Sequence, residues 1–175
     1  SFCPPTETYS FKFEKKYAKF GKLIITRNSE RINEKLKEKV SKFDCFYIRS
    51  LSNNILACTI ISMADHNQPV LLRCHQNATD LGDEYMNLYE LSKEFACSII
   101  AFDYSGYGMS TGTATESNLY LDVKSVLKCM IEYFEIPQEK IILFGESIGT
   151  VAAIYGATLY PKLGGLVLIS PFILL

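Results

Sequence analysis

The sequence has no Cys-x-x-Cys pair, no apolar run long enough to cross a membrane and no signal-peptide pattern. Its longest apolar run, residues 166–175, is interrupted by Ser170 and Pro171. The six cysteines stand singly, and most of them fall inside apolar segments. These absences favour buried, reduced thiols in a cytoplasmic protein over disulfides or a metal site. We predict no cofactor, no metal and no nucleic-acid partner.

Charge is unevenly distributed along the chain, although the net charge is only -1. Residues 11–42 carry 11 Lys and Arg against 4 Asp and Glu, whereas residues 43–175 carry 7 against 14. A basic segment of this kind either contacts an anionic membrane surface or forms an ordinary solvated face. We therefore divide the chain into a basic N-terminal extension, residues 1–42, and one folded domain, residues 43–175.

The N-terminal extension has weak secondary-structure patterns. Residues 1–10 look irregular, residues 22–27 are typical of a strand, and residues 29–42 show a narrow apolar stripe that predicts a short helix. From residue 43 the patterns become strong. A Ser-Asn-Asn turn joins the first two predicted strands into an antiparallel hairpin, and the six predicted strands are residues 43–48, 55–61, 70–74, 98–102, 141–144 and 165–169.

Three helices are predicted between the later strands. The first covers residues 80–95 and places Phe95 on its apolar face. The second opens with a capping box of Thr113 and Glu116 and ends at Ile136-Pro137, and the third is an alanine-rich helix that reaches Tyr160. Alternating strands and helices predict an α/β fold: a mostly parallel sheet with an antiparallel N-terminal hairpin and helices on both faces.

The most informative segment is the Gly-x-Ser-x-Gly motif formed by Gly145, Ser147 and Gly149. It lies directly between the apolar strand 141–144 and the alanine-rich helix, so one tight turn must join them. Such a turn lifts its serine clear of the sheet, beside the free N–H groups and partial positive charge of a helix N-terminus. Glycines are needed on either side because side chains there would collide where strand and helix pack closely. The motif therefore predicts a nucleophile elbow.

Two further polar or glycine-rich segments follow predicted parallel strands. Residues 74–78 follow the third strand, and residues 103–108 follow the fourth. In open parallel sheets, ligands bind at the carboxyl ends of the strands. We therefore expect these two loops and the elbow to converge on one edge of the sheet.

On these segments the chain resembles the α/β-hydrolase fold and, more narrowly, the family-17 α/β-hydrolase-domain proteins, which remove palmitate from cysteine side chains of membrane-bound proteins. The resemblance is continuous from about residue 43 to the end of the chain and weaker before it. It is also compatible with related serine hydrolases and S33-type peptidases. The segments that carry it are Pro4-Pro5, Thr8-Tyr9, His75-Gln76-Asn77-Ala78-Thr79-Asp80-Leu81-Gly82, Phe102 to Gly108 and Gly145 to Val151.

By this resemblance, Ser147 is the nucleophile that attacks a thioester or ester carbonyl. The backbone N–H groups of Ile148 and Asn77 form the oxyanion hole. The family has glycine where this chain has Gln76, and glycine allows backbone conformations that other residues avoid.

The resemblance also implies an acid and a histidine that follow the nucleophile in the chain. No histidine lies beyond His75, so we expect a segment of a longer hydrolase that lacks the strands carrying both groups. His66 lies in a turn at the opposite edge of the sheet. His75 and Asp103 lie at the correct edge, where we assign them to loop architecture in preference to a catalytic base and its partner.

We therefore predict a serine hydrolase of acyl thioesters or esters, with S-acylated proteins or lipid-like acyl groups as substrates. The alternatives are an S33-type peptidase or small-ester hydrolase, and a catalytically dead pseudo-hydrolase that acts as a binding module. We expect the 175-residue chain by itself to be nearly inactive. The family also implies peripheral membrane contact through acylated N-terminal cysteines, for which Cys3 is the candidate here, with a cytoplasmic protein that does not bind membranes as the alternative.

Overall fold

One mixed β-sheet organises the computed structural model, which describes residues 1–15, 18–27, 33–62 and 67–171. The order of its strands across the sheet is β1-β2-β3-β4-β6-β5-β7-β8. The first four strands pair antiparallel, β4 pairs antiparallel with β6, and β6, β5, β7 and β8 run parallel. The strands are β1 (Tyr9–Lys12), β2 (Gly21–Ile25), β3 (Phe43–Arg49), β4 (Ile55–Ile61), β5 (Val70–Cys74), β6 (Ser98–Phe102), β7 (Ile141–Glu146) and β8 (Gly165–Ile169).

Four α-helices lie in the described part of the chain: α1 (Glu34–Val40), α2 (Leu81–Glu94), α3 (Glu116–Lys128) and α4 (Gly149–Leu159). Successive residues of the central strands point to opposite faces of the sheet. Leu72 and Leu143 join the core that also includes apolar residues of α3 and α4. Leu71 and Phe144 join the core that includes Leu81 of α2. The sheet is therefore covered on both faces, which confirms the predicted α/β architecture. No helix in the described ranges is both long and apolar enough to span a membrane.

Several element boundaries differ from the sequence predictions. α3 is capped by Thr115, whose side chain accepts a hydrogen bond from Asn118 N–H, so the predicted capping box of Thr113 and Glu116 is wrong. The helix also ends earlier than predicted, at Lys128, and a π-helical turn continues to Tyr133.

Phe95 does not lie on the buried face of α2. It is the C-cap residue and is 55% exposed, because the chain leaves the helix there. The predicted helix 29–42 is shorter, since α1 begins after its N-cap Asn33, and residues 28–32 lie outside the described residues. The turn containing His66 and the tail 172–175 also lie outside them.

Residues 1–42, predicted as an extension, contribute β1 and β2 to the sheet. The first ten residues are not irregular throughout, because Tyr9 starts β1, pairs with Ile25 and is buried. Thr8 is tied to Asp80, the N-cap of α2, through both its N–H (2.9 Å) and its hydroxyl. Asp80 also accepts hydrogen bonds from the N–H groups of Gly82 and Asp83 at 3.0 Å. One buried carboxylate therefore caps α2 and fixes the N-terminal segment to it.

We expect Asp80→Ala to destabilise the fold far more than the loss of an ordinary helix cap. Losing an N-cap costs about 1 kcal/mol, and the buried donors left unpaired on Thr8 add about 1–3 kcal/mol. Urea unfolding measures the change in the free energy of unfolding. Thr115→Ala is the matched control, since it removes only a cap, and it should cost about 1 kcal/mol. Equal losses for the two variants would contradict the double role of Asp80.

Candidate active site

Ser147 lies at the turn between β7 and α4, with a backbone φ of 51°. This left-handed conformation is uncommon for a residue with a side chain and marks a strained turn. The turn is held at both ends: Ser147 N–H donates to the carbonyl of Ile169 (2.9 Å), and its own carbonyl accepts from Thr150 N–H (3.0 Å) and Oγ1 (2.6 Å). No described residue hydrogen-bonds to the Ser147 hydroxyl.

The two glycines of the motif permit close contact between the elbow and its neighbours. A Cβ on Gly145 would lie 2.6 Å from the carbonyl oxygen of Gly149, at the start of α4. A Cβ on Gly149 would overlap the carbonyl oxygen of Cys74 and lie 2.7 Å from that of His75. The first turn of α4 therefore packs directly against the end of β5 and the loop that follows it.

Asn77 lies in this loop, and its side chain is fixed by two other segments and by the next residue of its own loop. Its Oδ1 accepts hydrogen bonds from Tyr107 Oη (2.6 Å), from Cys3 N–H (2.9 Å) and from Ala78 N–H (3.1 Å), while its Nδ2 donates to the carbonyl of Ser1 (2.9 Å). Cys3, the candidate for acylation, has an exposed thiol and lies against this loop through its backbone. The N-terminal residues thus form part of the rim of the site.

Gln76 occupies the position where the family that the chain resembles has glycine, and its backbone φ is not positive. The left-handed residue of this loop is Ala78, with a φ of 56°. The Gln76 side chain accepts a hydrogen bond from Arg73 Nη2 (2.9 Å). The loop therefore accommodates glutamine without backbone strain at that residue.

Two backbone N–H groups in these loops remain free to donate. No described residue accepts a hydrogen bond from the N–H of Ile148, which precedes the first turn of α4, or from the N–H of Asn77. The partial positive charge of the α4 N-terminus adds to the field near Ile148. Two donors of this kind are what a developing oxyanion requires.

His75 and Asp103 form a buried group behind the loops. His75 is 1% exposed, and its Nδ1–H donates to the carbonyl of Gln76 (2.7 Å), while Nε2 lies 3.4 Å from Asp103 Oδ1. Asp103 also accepts from Tyr9 Oη and from Leu81 N–H (3.1 Å). Burial raises the pKa of the Asp103 carboxyl, and the contacts with His75 and Tyr9 oppose this rise. This geometry suits a support for the loops, because neither side chain reaches the Ser147 hydroxyl through a hydrogen bond.

The loop after β6 contacts the loop after β5 through two tyrosines and is itself held by a carboxylate of α3. Tyr104 Oη donates to the carbonyl of His75 (2.8 Å), and Tyr107 donates to Asn77. Asp122 of α3 accepts from Ser105 N–H (2.7 Å) and Oγ (2.9 Å). The three strand-end loops therefore converge, as the order of the parallel strands predicts.

An aromatic groove lies elsewhere on the molecule, along β3 and the end of α3. Its walls include Phe20, Phe46 and Phe134, with Lys19 and Lys128 beside them. None of its lining residues belongs to the three loops around Ser147. The convergent polar groups and the strained serine therefore place the candidate active site at the loops.

Sequence reasoning missed one set of residues beside the site. Arg73 donates to Glu84 of α2 and to Glu146, the residue before Ser147. The available signal was a charged residue inside the apolar strand 70–74, because a buried arginine requires partners. Their identity depends on long-range contacts that the sequence pattern does not reveal.

Asp122 makes the stability of this loop arrangement dependent on pH. Burial raises the pKa of its carboxyl to about 6 from the ordinary 3.8, and hydrogen bonds from Ser105 oppose this rise. The folded state therefore holds this proton more tightly than the unfolded state, so stability is lost as the pH rises from about 4 to about 6. We expect this loss to be about 1–3 kcal/mol and to be absent in Asp122→Asn.

The measurement is urea unfolding of both proteins at pH values across this interval. The difference between the two free energies of unfolding isolates Asp122 from the other carboxylates, including Asp103. A difference that does not change with pH would contradict the raised pKa.

Comparisons with known proteins agree with the α/β fold. A family model described as serine aminopeptidase, S33, matches residues 80–175. The chain is 34% identical over 171 residues to the α/β hydrolase domain-containing protein aho-3 of Caenorhabditis elegans, covering 98% of this chain and 49% of that protein. It is 30% identical over 171 residues to α/β hydrolase domain-containing protein 17B of Homo sapiens, of which it covers 58%. The chain thus spans about half the length of these curated relatives.

Solved structures show the same fold at lower identity. An esterase from Pyrococcus furiosus aligns over 99% of this chain and 57% of its own, with a TM-score of 0.70 and 19% identity. An α/β serine hydrolase homologue from Coxiella burnetii aligns over 73% of this chain and 62% of its own, with a TM-score of 0.61 and 19% identity.

Proposed function

Because the chain belongs to the hydrolase family described as serine aminopeptidase, S33, and its curated relatives are α/β-hydrolase-domain proteins of family 17, we propose that Ser147 is the nucleophile of a serine hydrolase. We propose acyl thioesters or esters as its substrates, and S-palmitoylated proteins at a membrane surface in particular. The substrate class comes from the likeness to the family-17 proteins.

The observation that carries the proposal is the strained elbow with two free donors beside it. Ser147 has a φ of 51°, and no described residue forms a hydrogen bond with its hydroxyl group. Ile148 N–H follows it directly, and Gly149 packs against the loop that holds Asn77. A serine with this surrounding is typical of an acyl-transfer nucleophile.

The reaction follows from this arrangement. Ser147 Oγ bonds to the acyl carbonyl carbon while a general base removes its proton. The carbonyl oxygen becomes an oxyanion that accepts hydrogen bonds from the N–H groups of Ile148 and Asn77, each worth about 2.7–4 kcal/mol in the transition state. Collapse expels the thiol or alcohol with a proton and leaves the acyl group on Ser147. Water then attacks this ester, restores the serine and releases the carboxylic acid.

We propose that the nucleophile and the oxyanion donors lie among the described residues and that the general base lies outside them. His75 is buried against Asp103 and donates to Gln76, so it does not serve Ser147. Without a base, a serine hydroxyl is a poor nucleophile at neutral pH. We therefore expect the 175-residue chain to react far more slowly than the full-length protein.

A peptidase is the second candidate, because the matching family model is described as a serine aminopeptidase. Thioester, ester and amide carbonyls would use the same elbow and oxyanion donors, and the fold alone does not select among them. The choice between the two candidates therefore rests on substrate assays.

We expect full-length protein to release palmitate from an S-palmitoylated protein with a higher kcat/KM than it shows for a small ester or an aminoacyl amide. Ser147→Ala should remove activity on all three substrates and abolish fluorophosphonate labelling. Thr150→Ser is the matched control, since it changes a neighbouring hydroxyl residue but keeps the hydroxyl that donates to Ser147. A preference for the amide would favour the peptidase, and wild-type activity in Ser147→Ala would dismiss Ser147 as nucleophile.

We propose that the protein contacts membranes peripherally, through acylation of Cys3 together with the basic residues of 11–42. The Cys3 thiol is exposed. Because a single acyl chain binds a membrane only marginally, a second, electrostatic attraction to the membrane is needed. We expect Cys3→Ser to move the full-length protein from the membrane fraction to the supernatant, and high salt to release part of the wild type by screening.

Cys129→Ser controls for the loss of a thiol, since Cys129 is only partly exposed and lies near the aromatic groove. Identical fractionation of the wild type and Cys3→Ser, with or without salt, would favour a protein that does not use Cys3 as an anchor.

A further inference from the structure

Arg73 is a buried cation near the carboxyl end of β5, next to the candidate active site. It lies in β5, is 3% exposed and places its guanidinium 5.2 Å from the ring centre of Phe144. Its Nε donates to Glu84 Oε2 at 2.9 Å, and the Glu84 side chain is 2% exposed. This ion pair fixes the base of the guanidinium between the sheet and α2, so the far end of the side chain has a defined position.

The far end contacts both loops that surround Ser147. Nη2 donates one hydrogen bond to Gln76 Oε1 (2.9 Å) and one to Glu146 Oε2 (2.5 Å). Gln76 immediately precedes Asn77, and Glu146 immediately precedes Ser147 and Ile148. One amino group therefore uses both of its hydrogens to join the segment of one oxyanion donor to the segment of the other.

We propose that Arg73 is a positioning residue that holds the nucleophile elbow and the Asn77 loop at the separation needed to bind an oxyanion between the N–H groups of Ile148 and Asn77. This inference rests on the proposed serine-hydrolase function. It goes beyond that function by naming the residue that sets the geometry of the two donors. Arg73 itself does not touch the reacting atoms.

The chemistry of arginine suits this role. A guanidinium is planar and presents its N–H groups at fixed angles, so partners on Nε and Nη2 are held in one relative orientation. Lysine offers a single flexible point charge and cannot fix three acceptors in one plane. Burial disfavours the charged form, but Glu84 and Glu146 outweigh burial and raise the pKa of Arg73, so the cation persists throughout the working pH range.

Three variants of the full-length protein test the role. Arg73→Lys keeps a positive charge for Glu84 but loses the planar fork. Glu146→Leu removes one of the two loop contacts at a side chain that is 33% exposed, so it threatens folding less. Glu146→Gln keeps an oxygen acceptor for Nη2 and serves as the conservative rescue. Glu90→Leu is the matched control, because Glu90 is an exposed carboxylate that pairs with Lys39 away from the site.

We expect Arg73→Lys and Glu146→Leu to lower kcat for thioester hydrolysis by about 10- to 100-fold, since small displacements of catalytic groups have effects of this size. KM should change by less than about twofold, because the oxyanion contacts form in the transition state. Glu146→Gln and Glu90→Leu should stay within about threefold of the wild-type kcat. Amide hydrogen exchange at Ser147 and Ala78, whose N–H groups are hydrogen-bonded in the elbow and in the Asn77 loop, should become faster in Arg73→Lys than in the wild type or Glu90→Leu.

The two readouts separate this inference from the function on which it rests. Faster exchange at both amides in a protein with no Ser147-dependent activity would support the positioning role and reject the hydrolase. Unchanged exchange and unchanged kcat in folded Arg73→Lys would reject the positioning role and leave the hydrolase intact. If Arg73→Lys does not fold, Glu146→Leu decides: a wild-type kcat together with wild-type amide exchange at Ser147 would overturn the proposal.

Discussion

Contact between Gly149 and the carbonyl oxygens of Cys74 and His75 is the constraint on which the site depends. It brings the first turn of α4 against the end of β5 more closely than any side chain would allow. The neighbouring Gly145 permits the same closeness between strand and helix. A strained serine conformation persists only where the surroundings over-determine it. Here the parallel pairing of β5 with β7 and the packing of α4 hold Ser147 in this conformation.

The loops around the elbow are held by groups from distant parts of the chain. Asp80 binds Thr8, Asp103 binds Tyr9 and Leu81, and Asn77 binds Ser1 and Cys3. Hydrogen bonds to the N-terminal residues therefore stabilise the loops, and the buried Arg73 side chain joins two of them. Buried polar groups with this many partners limit loop movement, because each broken hydrogen bond leaves a desolvated donor or acceptor. The result is a preorganised surface for the free donors on Ile148 and Asn77.

The sequence predicted local features well and long-range polar contacts poorly. The elbow followed from a strand, a turn and a helix that are adjacent in the chain, so short-range sterics sufficed. The capping box failed because Thr113 and Thr115 both lie near the start of α3, and only the backbone geometry selects Thr115. The partners of Arg73 and the role of Tyr9 could not be predicted, because residues distant in sequence meet there only after the sheet has formed. The left-handed residue of the Asn77 loop is Ala78, two residues after the position where the family has glycine, and nothing in the sequence pattern indicated this.

We propose that Ser147, Ile148 and Asn77 form one acyl-transfer site. A crystal structure of the full-length protein after reaction with a fluorophosphonate tests it most directly. We expect a phosphorus bonded to Ser147 Oγ, with the phosphonyl oxygen about 2.7–3.1 Å from the backbone nitrogens of both Ile148 and Asn77. An adduct on another residue, or a phosphonyl oxygen that contacts neither nitrogen, would contradict the claim.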